Sequence, residues 1–258
     1  MEKSFLERLQ EPAPLNFAHR GARNVAPENT LSAFERALAQ GADGLELDIR
    51  LCKTNEWIVL HDATLNRTTN GRGYVRTKSL EDLRRLNAGA WFGARFAREK
   101  IPTLREVLEL ARGRCLLNLE IKAVAAVQTS MLAGLIEALY RHHLERRCII
   151  SSFNPLVLRR VSRLDFRLPT GLLLTGNLLS NGPKAAFRRL TGVQALHLHA
   201  AVISPRLVER VRTLGLHLFV WGADHAPVMK RMIHFGVNGI ITDDPLTLNR
   251  ILKKVPSA

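Results

Sequence analysis

Short apolar runs typical of buried β-strands alternate with amphipathic helical segments along this chain of 258 residues. Most of the runs are rich in Leu, Ile and Val, as strands covered on both faces of a parallel sheet are. The strand candidates are Leu15–His19, Gly44–Ile49, Leu116–Ile121, Cys148–Ser152, Thr170–Leu174, Ala195–His199, Leu216–Trp221 and Gly239–Thr242. Because a helical segment separates successive strands, neighbouring strands are expected to run parallel.

The helical segments begin with Pro or end before Gly at several positions, which is the usual punctuation of helices. They are Glu28–Gln40, Thr103–Arg112, Val124–His143, Pro155–Arg163, Pro183–Leu190, Pro205–Leu214, Ala226–Phe235 and Pro245–Leu252. Eight strand–helix units in 258 residues favour a closed (β/α)₈ barrel of the TIM type over an open doubly wound sheet. No Gly-rich dinucleotide fingerprint or P-loop favours the open form. We expect residues 1–258 to form one barrel domain.

One segment, residues 50–101, departs from the alternation and is expected to be a small insertion after the second strand. It contains a further strand candidate, Trp57–Leu60, which follows too closely for a helical crossover. A hairpin is the simplest interpretation. With a four-residue loop at Lys53–Glu56, the count places Asp48 opposite His61.

The formal charge of +15 and the pI near 10.8 make an acidic partner plausible: phosphates, anionic lipid headgroups or nucleic acid. The three cysteines are too few for a disulfide framework, and an odd number of them cannot all form pairs within the chain. No run of 18 apolar residues predicts a membrane span, and residues 1–17 carry no apolar signal segment. A cytoplasmic location is therefore expected. The sequence carries no signal for oligomeric state.

Two of the predicted barrel strands alternate polar and apolar residues. If their apolar residues face the helices, Glu46 and Asp48 of the second strand and Glu120 and Lys122 of the third point into the barrel mouth. Converging carboxylates repel one another, and a hard divalent cation would resolve the repulsion. The alternatives are an exposed edge strand, or carboxylates paired with Lys122 and Arg50.

Two histidines lie at predicted strand ends on the same rim as these acids. His19 and His61 can act as general acid and base, because imidazole titrates near neutral pH. Arg20 can hold phosphate oxygens. Phe153 and Trp221 can wall a pocket or simply pack at the rim. The remaining histidines are expected to be structural or exposed: His142, His143, His197, His199, His217, His225 and His234.

At these residues the sequence resembles the glycerophosphodiester phosphodiesterase family. The resemblance rests on an ordered set of short motifs that spans nearly the whole chain. They are His19-Arg20-Gly21, Pro27-Glu28-Asn29-Thr30, Glu46-Leu47-Asp48, His61-Asp62, Leu65-Asn66-Arg67-Thr68-Thr69, Gly71-Arg72-Gly73, Ile101-Pro102-Thr103-Leu104, Asn118-Leu119-Glu120-Ile121-Lys122, Ser152-Phe153, Trp221 and Gly239-Ile240-Ile241-Thr242-Asp243.

The resemblance implies metal-dependent hydrolysis of glycerophosphodiesters, such as deacylated phospholipids, to glycerol 3-phosphate and an alcohol. It assigns Glu46, Asp48 and Glu120 to one divalent cation, Mg²⁺ or Ca²⁺. It assigns His19 and His61 to the acid–base pair. It assigns the phosphate and substrate contacts to Arg20, Lys122, Phe153 and Trp221.

The chain departs from the family pattern in places that do not remove a site residue. Gly222-Ala223-Asp224 replaces the usual Thr-x-Asn after Trp221, which bears on substrate preference. The hairpin tip reads Lys53-Thr54-Asn55-Glu56 in place of the usual Thr-x-Asp-Gly, and Asn238 stands where the family often has Asp.

Two other functions are weighed against this one. The first is a lysophospholipase D that contacts a membrane peripherally through Trp91, Phe92 and Phe96. The second is a non-catalytic basic protein that binds nucleic acid. No nucleic-acid partner is expected, because acids at the mouth repel a polyanion.

Overall fold

The structure is a computed structural model that describes residues 3–122, 127–174 and 192–254. In these ranges eight parallel strands close into a barrel, which confirms the predicted fold class. A ninth strand, β3, pairs antiparallel with β2. The strands are β1 (Leu15–His19), β2 (Gly44–Leu51), β3 (Trp57–Val59), β4 (Leu116–Ile121), β5 (Cys148–Ser152), β6 (Thr170–Leu174), β7 (Ala195–His199), β8 (His217–Trp221) and β9 (Gly239–Thr242).

Helices surround the barrel, and a short helix precedes it. The described helices are α1 (Phe5–Arg8), α2 (Leu31–Ala39), α3 (Leu80–Arg85), α4 (Leu104–Ala111), α5 (Thr129–Arg141), α6 (Pro155–Leu164), α7 (Pro205–Thr213), α8 (Ala226–Phe235) and α9 (Pro245–Leu252). The predicted helix Pro183–Leu190 lies outside the described residues, as do residues 124–126 of the predicted helix Val124–His143. That the whole chain forms one domain stays a prediction.

Helix α2 begins three residues later than the sequence pattern indicated. Thr30 caps it by accepting a hydrogen bond from the Ala33 N–H. Asn29, just before the cap, has a φ of 57°, in the left-handed region. Glu28 and Asn29 therefore belong to a turn at the barrel mouth and not to the helix.

The hairpin forms as expected, but its predicted register was wrong by one residue. Leu51 pairs with Trp57, and the Leu60 N–H donates to the Asp48 carbonyl, so Leu60 and not His61 lies opposite Asp48. The turn is longer than four residues because the Cys52 N–H bonds to the Glu56 carbonyl and Asn55 adopts a φ of 67°. A left-handed residue is a common way to close such a turn.

Apolar residues occupy both sides of the strands. Leu45, Leu47 and Ile49 of β2 are buried in the larger core between the barrel and its helices. The period of two then directs Glu46 and Asp48 to the barrel interior. None of the helices in the described ranges is long and apolar enough to cross a membrane.

An aromatic cluster fills the barrel interior at the amino ends of the strands. Phe5 from α1 packs on Phe17 and Phe219, with ring centroids 5.9 and 6.1 Å away. All three rings are buried, together with Leu15, Leu116, Ile149 and Ile241. Helix α1 therefore closes one end of the barrel, and the open end is the carboxyl rim.

Phe5→Ala should lower the free energy of unfolding by about 3 kcal/mol, because it removes a buried ring and leaves a cavity under the barrel. Urea unfolding followed by circular dichroism measures the change. Phe166→Ala is the matched control, because that ring is 83% exposed, and it should change stability by less than about 0.5 kcal/mol. Equal losses from the two substitutions would contradict a packed role for α1.

Candidate active site

The predicted site residues meet at the carboxyl rim of the barrel. The sheet register pairs His19 with Glu46 and Asp48 with Glu120 across neighbouring strands. A cavity of about 160 Å³ opens there. Its walls include eight of the predicted residues: His19, Arg20, Glu46, His61, Glu120, Lys122, Phe153 and Trp221. The ninth, Asp48, is buried against Arg20 and Lys122 at the same rim.

A larger cleft, of about 700 Å³, lies on the outer surface along α2 and the start of α4. Charged side chains such as Glu35, Arg84 and Glu106 line it. It contains none of the predicted site residues. The chemistry-bearing groups are therefore gathered in the smaller cavity at the rim.

Three carboxylates form a compact acidic triad. Glu46, Asp48 and Glu120 each offer one oxygen, and these oxygens lie within 4.8 Å of one another. All three side chains are buried, so water does little to screen their repulsion. The triad is composed of oxygen ligands only, which suits a hard divalent cation.

Two cations partly balance the triad. The Lys122 ammonium lies 3.0 Å from Asp48 Oδ1 and 2.5 Å from Glu120 Oε1. The Arg20 guanidinium lies 3.1 Å from Asp48 Oδ2, and the Arg20 backbone N–H donates to Glu46 Oε2 at 3.0 Å. Glu46 is thus the acid of the triad that forms no ion pair with a Lys or Arg side chain among the described residues.

The pKa values of the triad follow from these contacts. Burial, followed by the charges of Asp48 and Glu120, raises the pKa of Glu46 well above its usual value. Burial and the Asp48 charge also raise the pKa of Glu120. Burial opposes the ionisation of Asp48 too, but Lys122 and Arg20 outweigh it and hold the pKa of that carboxyl low.

The donor set fits a metal ion. Asp48 Oδ1 and Glu120 Oε1 are buried, and within the described ranges neither accepts a hydrogen bond of good geometry. Together with Glu46 they form a group of acids that can hold a cation. Binding would neutralise the charge that raises two of the three pKa values.

Each predicted histidine is held by an aspartate. His19 Nδ1 lies 2.7 Å from Asp243 Oδ1, and His61 Nδ1 lies 2.6 Å from Asp62 Oδ1. These contacts fix Nδ1 and leave Nε2 as the nitrogen available to a ligand in both rings. His19 Nε2 is 4.0 Å from Glu46 Oε2.

Neither aspartate was assigned a role at the site from the sequence, although both belong to the family motifs. Asp243 directly follows β9, and the closure of β9 onto β1 brings it to His19. Its position at a strand end on the rim was the available signal. Asp62 adjoins His61 in sequence, so its proximity was evident but not its hydrogen bond.

A chain of ion pairs supports Asp62 from the insertion. Arg67 donates to both Glu28 oxygens at 2.8 and 2.7 Å, and to Asp62 at 2.8 and 3.0 Å. Glu28 also pairs with Arg20 at 2.9 Å. Although burial opposes its ionisation, these bonds to Arg67 and Arg20 lower the pKa of Glu28 to about 2.

One alternative from the sequence paired Arg50 with the acids of the triad. Among the described residues Arg50 forms no ion pair with them. Its guanidinium donates to the His61 carbonyl at 2.8 and 2.6 Å and to the Lys122 carbonyl at 3.3 Å. Arg50 therefore ties the backbone of the hairpin to the end of β4. Lys122, by contrast, pairs with the carboxylates as that alternative expected.

Two aromatic residues flank the cavity. The Phe153 ring is 46% exposed and lies 5.9 Å from the Lys122 ammonium. Trp221 packs edge-on against His199, with ring centroids 4.5 Å apart. His197, which was expected to be structural or exposed, also lines the cavity and is fully buried.

Residues 19–247 match the sequence profile of the "Glycerophosphoryl diester phosphodiesterase family". The chain belongs to this family. A "Glycerophosphodiester phosphodiesterase" of Caldanaerobacter subterraneus subsp. tengcongensis is 43% identical over 243 residues, which cover 93% of this chain and 98% of that relative. Like its family, the chain is an enzyme, a phosphoric diester hydrolase.

Solved structures of the family share the fold. A glycerophosphodiester phosphodiesterase from Agrobacterium tumefaciens has a TM-score of 0.81 at 28% identity, covering 92% of this chain and 99% of that one. An Oleispira antarctica phosphodiesterase "in complex with the product sn-glycerol-3-phosphate" has a TM-score of 0.85 at 26% identity, covering 94% and 98%. The predicted family, fold and enzyme class are confirmed.

Glu46→Gln should stabilise the metal-free enzyme at pH 8, because the fold opposes ionisation of this carboxyl group. A raised pKa in the folded state means that stability falls as pH rises above the unfolded value of 4.5. The gain should be small near pH 4 and grow toward pH 8. Urea unfolding in the presence of a chelator measures it.

Glu109→Gln is the matched control, because Glu109 lies exposed on α4. It should show no comparable gain at any pH. If Glu46→Gln lost stability at pH 8, the buried carboxylate repulsion would be refuted.

Proposed function

We propose that this enzyme hydrolyses glycerophosphodiesters to sn-glycerol 3-phosphate and an alcohol with the help of one divalent cation, Mg²⁺ or Ca²⁺. The observation that carries the proposal is a buried triad of carboxylates beside two aspartate-held histidines in one cavity. The product complex of the Oleispira antarctica relative supports the same substrate class.

Glu46, Asp48 and Glu120 are the residues proposed to hold the cation. A bound divalent cation supplies positive charge that neutralises the phosphodiester oxygens as negative charge builds on them. Arg20 and Lys122 line the same cavity, and their N–H groups are proposed to donate to those oxygens. Phe153 and Trp221 wall the space beside them.

His19 and His61 are proposed to move the protons. Burial is the main cause that lowers the pKa of His61, which favours the neutral ring. With Nδ1–H donating to Asp62, the lone pair on Nε2 can accept a proton. One histidine takes the proton from the nucleophile, either water or the free glycerol hydroxyl, and the other protonates the departing alkoxide oxygen. Attack by water gives glycerol 3-phosphate directly, whereas attack by the glycerol hydroxyl gives a cyclic phosphodiester that a water molecule must then open.

Chelation should abolish release of glycerol 3-phosphate from glycerophosphocholine, and Mg²⁺ or Ca²⁺ should restore it. Glu120→Gln should raise the cation concentration needed for half-maximal activity by at least about tenfold, because it removes a charged ligand. Exposed Glu137 gives the matched control, Glu137→Gln, which should leave that concentration unchanged. A panel of glycerophosphodiesters on which no divalent cation gives activity would overturn the proposed function.

His19→Ala and His61→Ala should each lower kcat by about 10²–10⁴-fold, since each removes a proton-transfer group. Steady-state kinetics at saturating cation measures the loss. His234→Ala serves as the control, because His234 is exposed on α8. Wild-type kcat in either site variant would remove that histidine from the mechanism.

A lysophospholipase D activity is the second candidate, and the exposed ring of Phe153 at the cavity is the observation that favours it. Of the aromatic residues predicted to face a membrane, Phe96 is buried and Phe92 packs against its cluster, whereas Trp91 is 44% exposed. We expect glycerophosphocholine to be cleaved faster than lysophosphatidylcholine. The opposite order would favour the second candidate.

The comparisons lend no support to a non-catalytic nucleic-acid-binding protein. The cytoplasmic location and the peripheral membrane contact stay predictions.

A further inference from the structure

The cavity presents polar atoms that the proposed mechanism does not use. Asn118 Nδ2, both ring nitrogens of His197 and Trp221 Nε1 are buried atoms without a hydrogen-bond partner in residues 3–122, 127–174 and 192–254. All three side chains line the cavity that holds the acidic triad. A buried polar atom left unpaired is destabilising, so several of them in one cavity suit a polar ligand.

His197 is set into the cavity by its neighbours on the sheet. Its ring lies on Phe219, with centroids 4.7 Å apart. On the other side Gly171 makes room for it, because a Cβ at that position would lie 2.4 Å from His197 Nε2. The imidazole therefore occupies the space that a side chain at position 171 would fill.

Burial also fixes the protonation of this ring. His197 is wholly buried, and burial lowers its pKa to about 3. The neutral imidazole has one N–H donor and one acceptor nitrogen on opposite edges of the ring. A hydroxyl group can bond to either nitrogen, because it can accept from the N–H or donate to the bare nitrogen, whereas an ionised phosphate oxygen can only accept from the N–H.

Among the described residues, one hydrogen bond orients the Asn118 side chain, and it leaves the amide nitrogen unpaired. The Ser151 hydroxyl donates to Asn118 Oδ1 at 2.8 Å. In the sheet register Asn118 is the neighbour of Glu46, so its amide lies beside the triad. A ligand group that reached Asn118 would thus be close to the proposed cation and its phosphate.

We propose that Asn118 and His197 form a hydroxyl-binding subsite that recognises the glycerol moiety of the substrate, an inference that rests on the proposed function. The subsite makes the enzyme select a polyol phosphate ester. A substrate that lacks the hydroxyl leaves the buried atoms unpaired, and sites of this kind reject such analogues strongly. We expect a preference of at least about 100-fold in kcat/KM.

The kinetic test compares glycerophosphocholine with 2-hydroxypropyl phosphocholine, which keeps the hydroxyl beside the ester carbon but lacks the terminal one. In the cation-loaded wild-type enzyme the first should be preferred by at least about 100-fold. His197→Leu should reduce the preference below about tenfold, mainly through a loss on glycerophosphocholine. His197→Gln keeps a donor and an acceptor and should retain part of it.

If His197→Leu fails to fold, Asn118→Ala tests the same subsite, because it leaves the packing of His197 on Phe219 unchanged. His217→Leu is the matched control, because His217 starts the neighbouring strand β8 and lies outside the cavity. It should leave the preference unchanged. An unchanged preference in folded His197→Leu and Asn118→Ala would overturn the subsite.

Calorimetry separates failure of the subsite from failure of the proposed function. With the cation bound, the wild-type enzyme should bind sn-glycerol 3-phosphate more tightly than inorganic phosphate. His197→Leu should raise the Kd for glycerol 3-phosphate at least about tenfold and leave the Kd for inorganic phosphate unchanged. Equal wild-type affinities would overturn the subsite even if diesters are hydrolysed, whereas a wild-type enzyme inactive on every diester would overturn the proposed function.

Discussion

The repulsion among three buried carboxylates is the constraint on which the barrel rim depends. Glu46, Asp48 and Glu120 lie on neighbouring strands with oxygens within 4.8 Å. The Arg20 guanidinium neutralises part of this charge. The Arg20 backbone has a φ of 55°, in the left-handed region. Such a conformation persists where the surroundings fix it, and here Asp48, Glu28 and the Glu46 carboxylate all bind Arg20.

The same charges connect the triad to the insertion. Arg20 bonds to Glu28, Glu28 to Arg67, and Arg67 to Asp62, which holds His61. The hairpin is also tied to β4 through Arg50. A histidine from the insertion is thereby oriented by the groups that balance the barrel acids, so the insertion and the rim form one electrostatic unit.

Much of the fold was predictable because the signals are local. The bounds of β5 and β6 coincide with the predicted ones, since apolar runs between turns specify buried strands. The acids stood out because Glu46, Asp48 and Glu120 alternate with apolar residues in strands of a barrel whose other strands are mainly apolar. The start of α2 was missed because Glu28 is a good helix former, whereas the left-handed turn at Asn29 and the Thr30 cap place the first helical residue at Leu31.

What could not be predicted depends on contacts distant in sequence or on turn geometry. Asp243 reaches His19 only because β9 closes the barrel beside β1. His197 resembles any core histidine until Gly171, on another strand, is seen to make room for it. The hairpin register turned on the conformation of Asn55, which a count of loop residues does not give.

The proposed mechanism depends on the binding of one divalent cation by the triad. Crystals soaked with Mn²⁺, a carboxylate-binding ion with a measurable anomalous signal, test this binding directly. We expect one anomalous peak in contact with oxygens of Glu46, Asp48 and Glu120, and no peak there in crystals of Glu120→Gln at the same concentration. A wild-type enzyme active in Mn²⁺ whose crystals show no peak at these residues would refute a cation site at the triad.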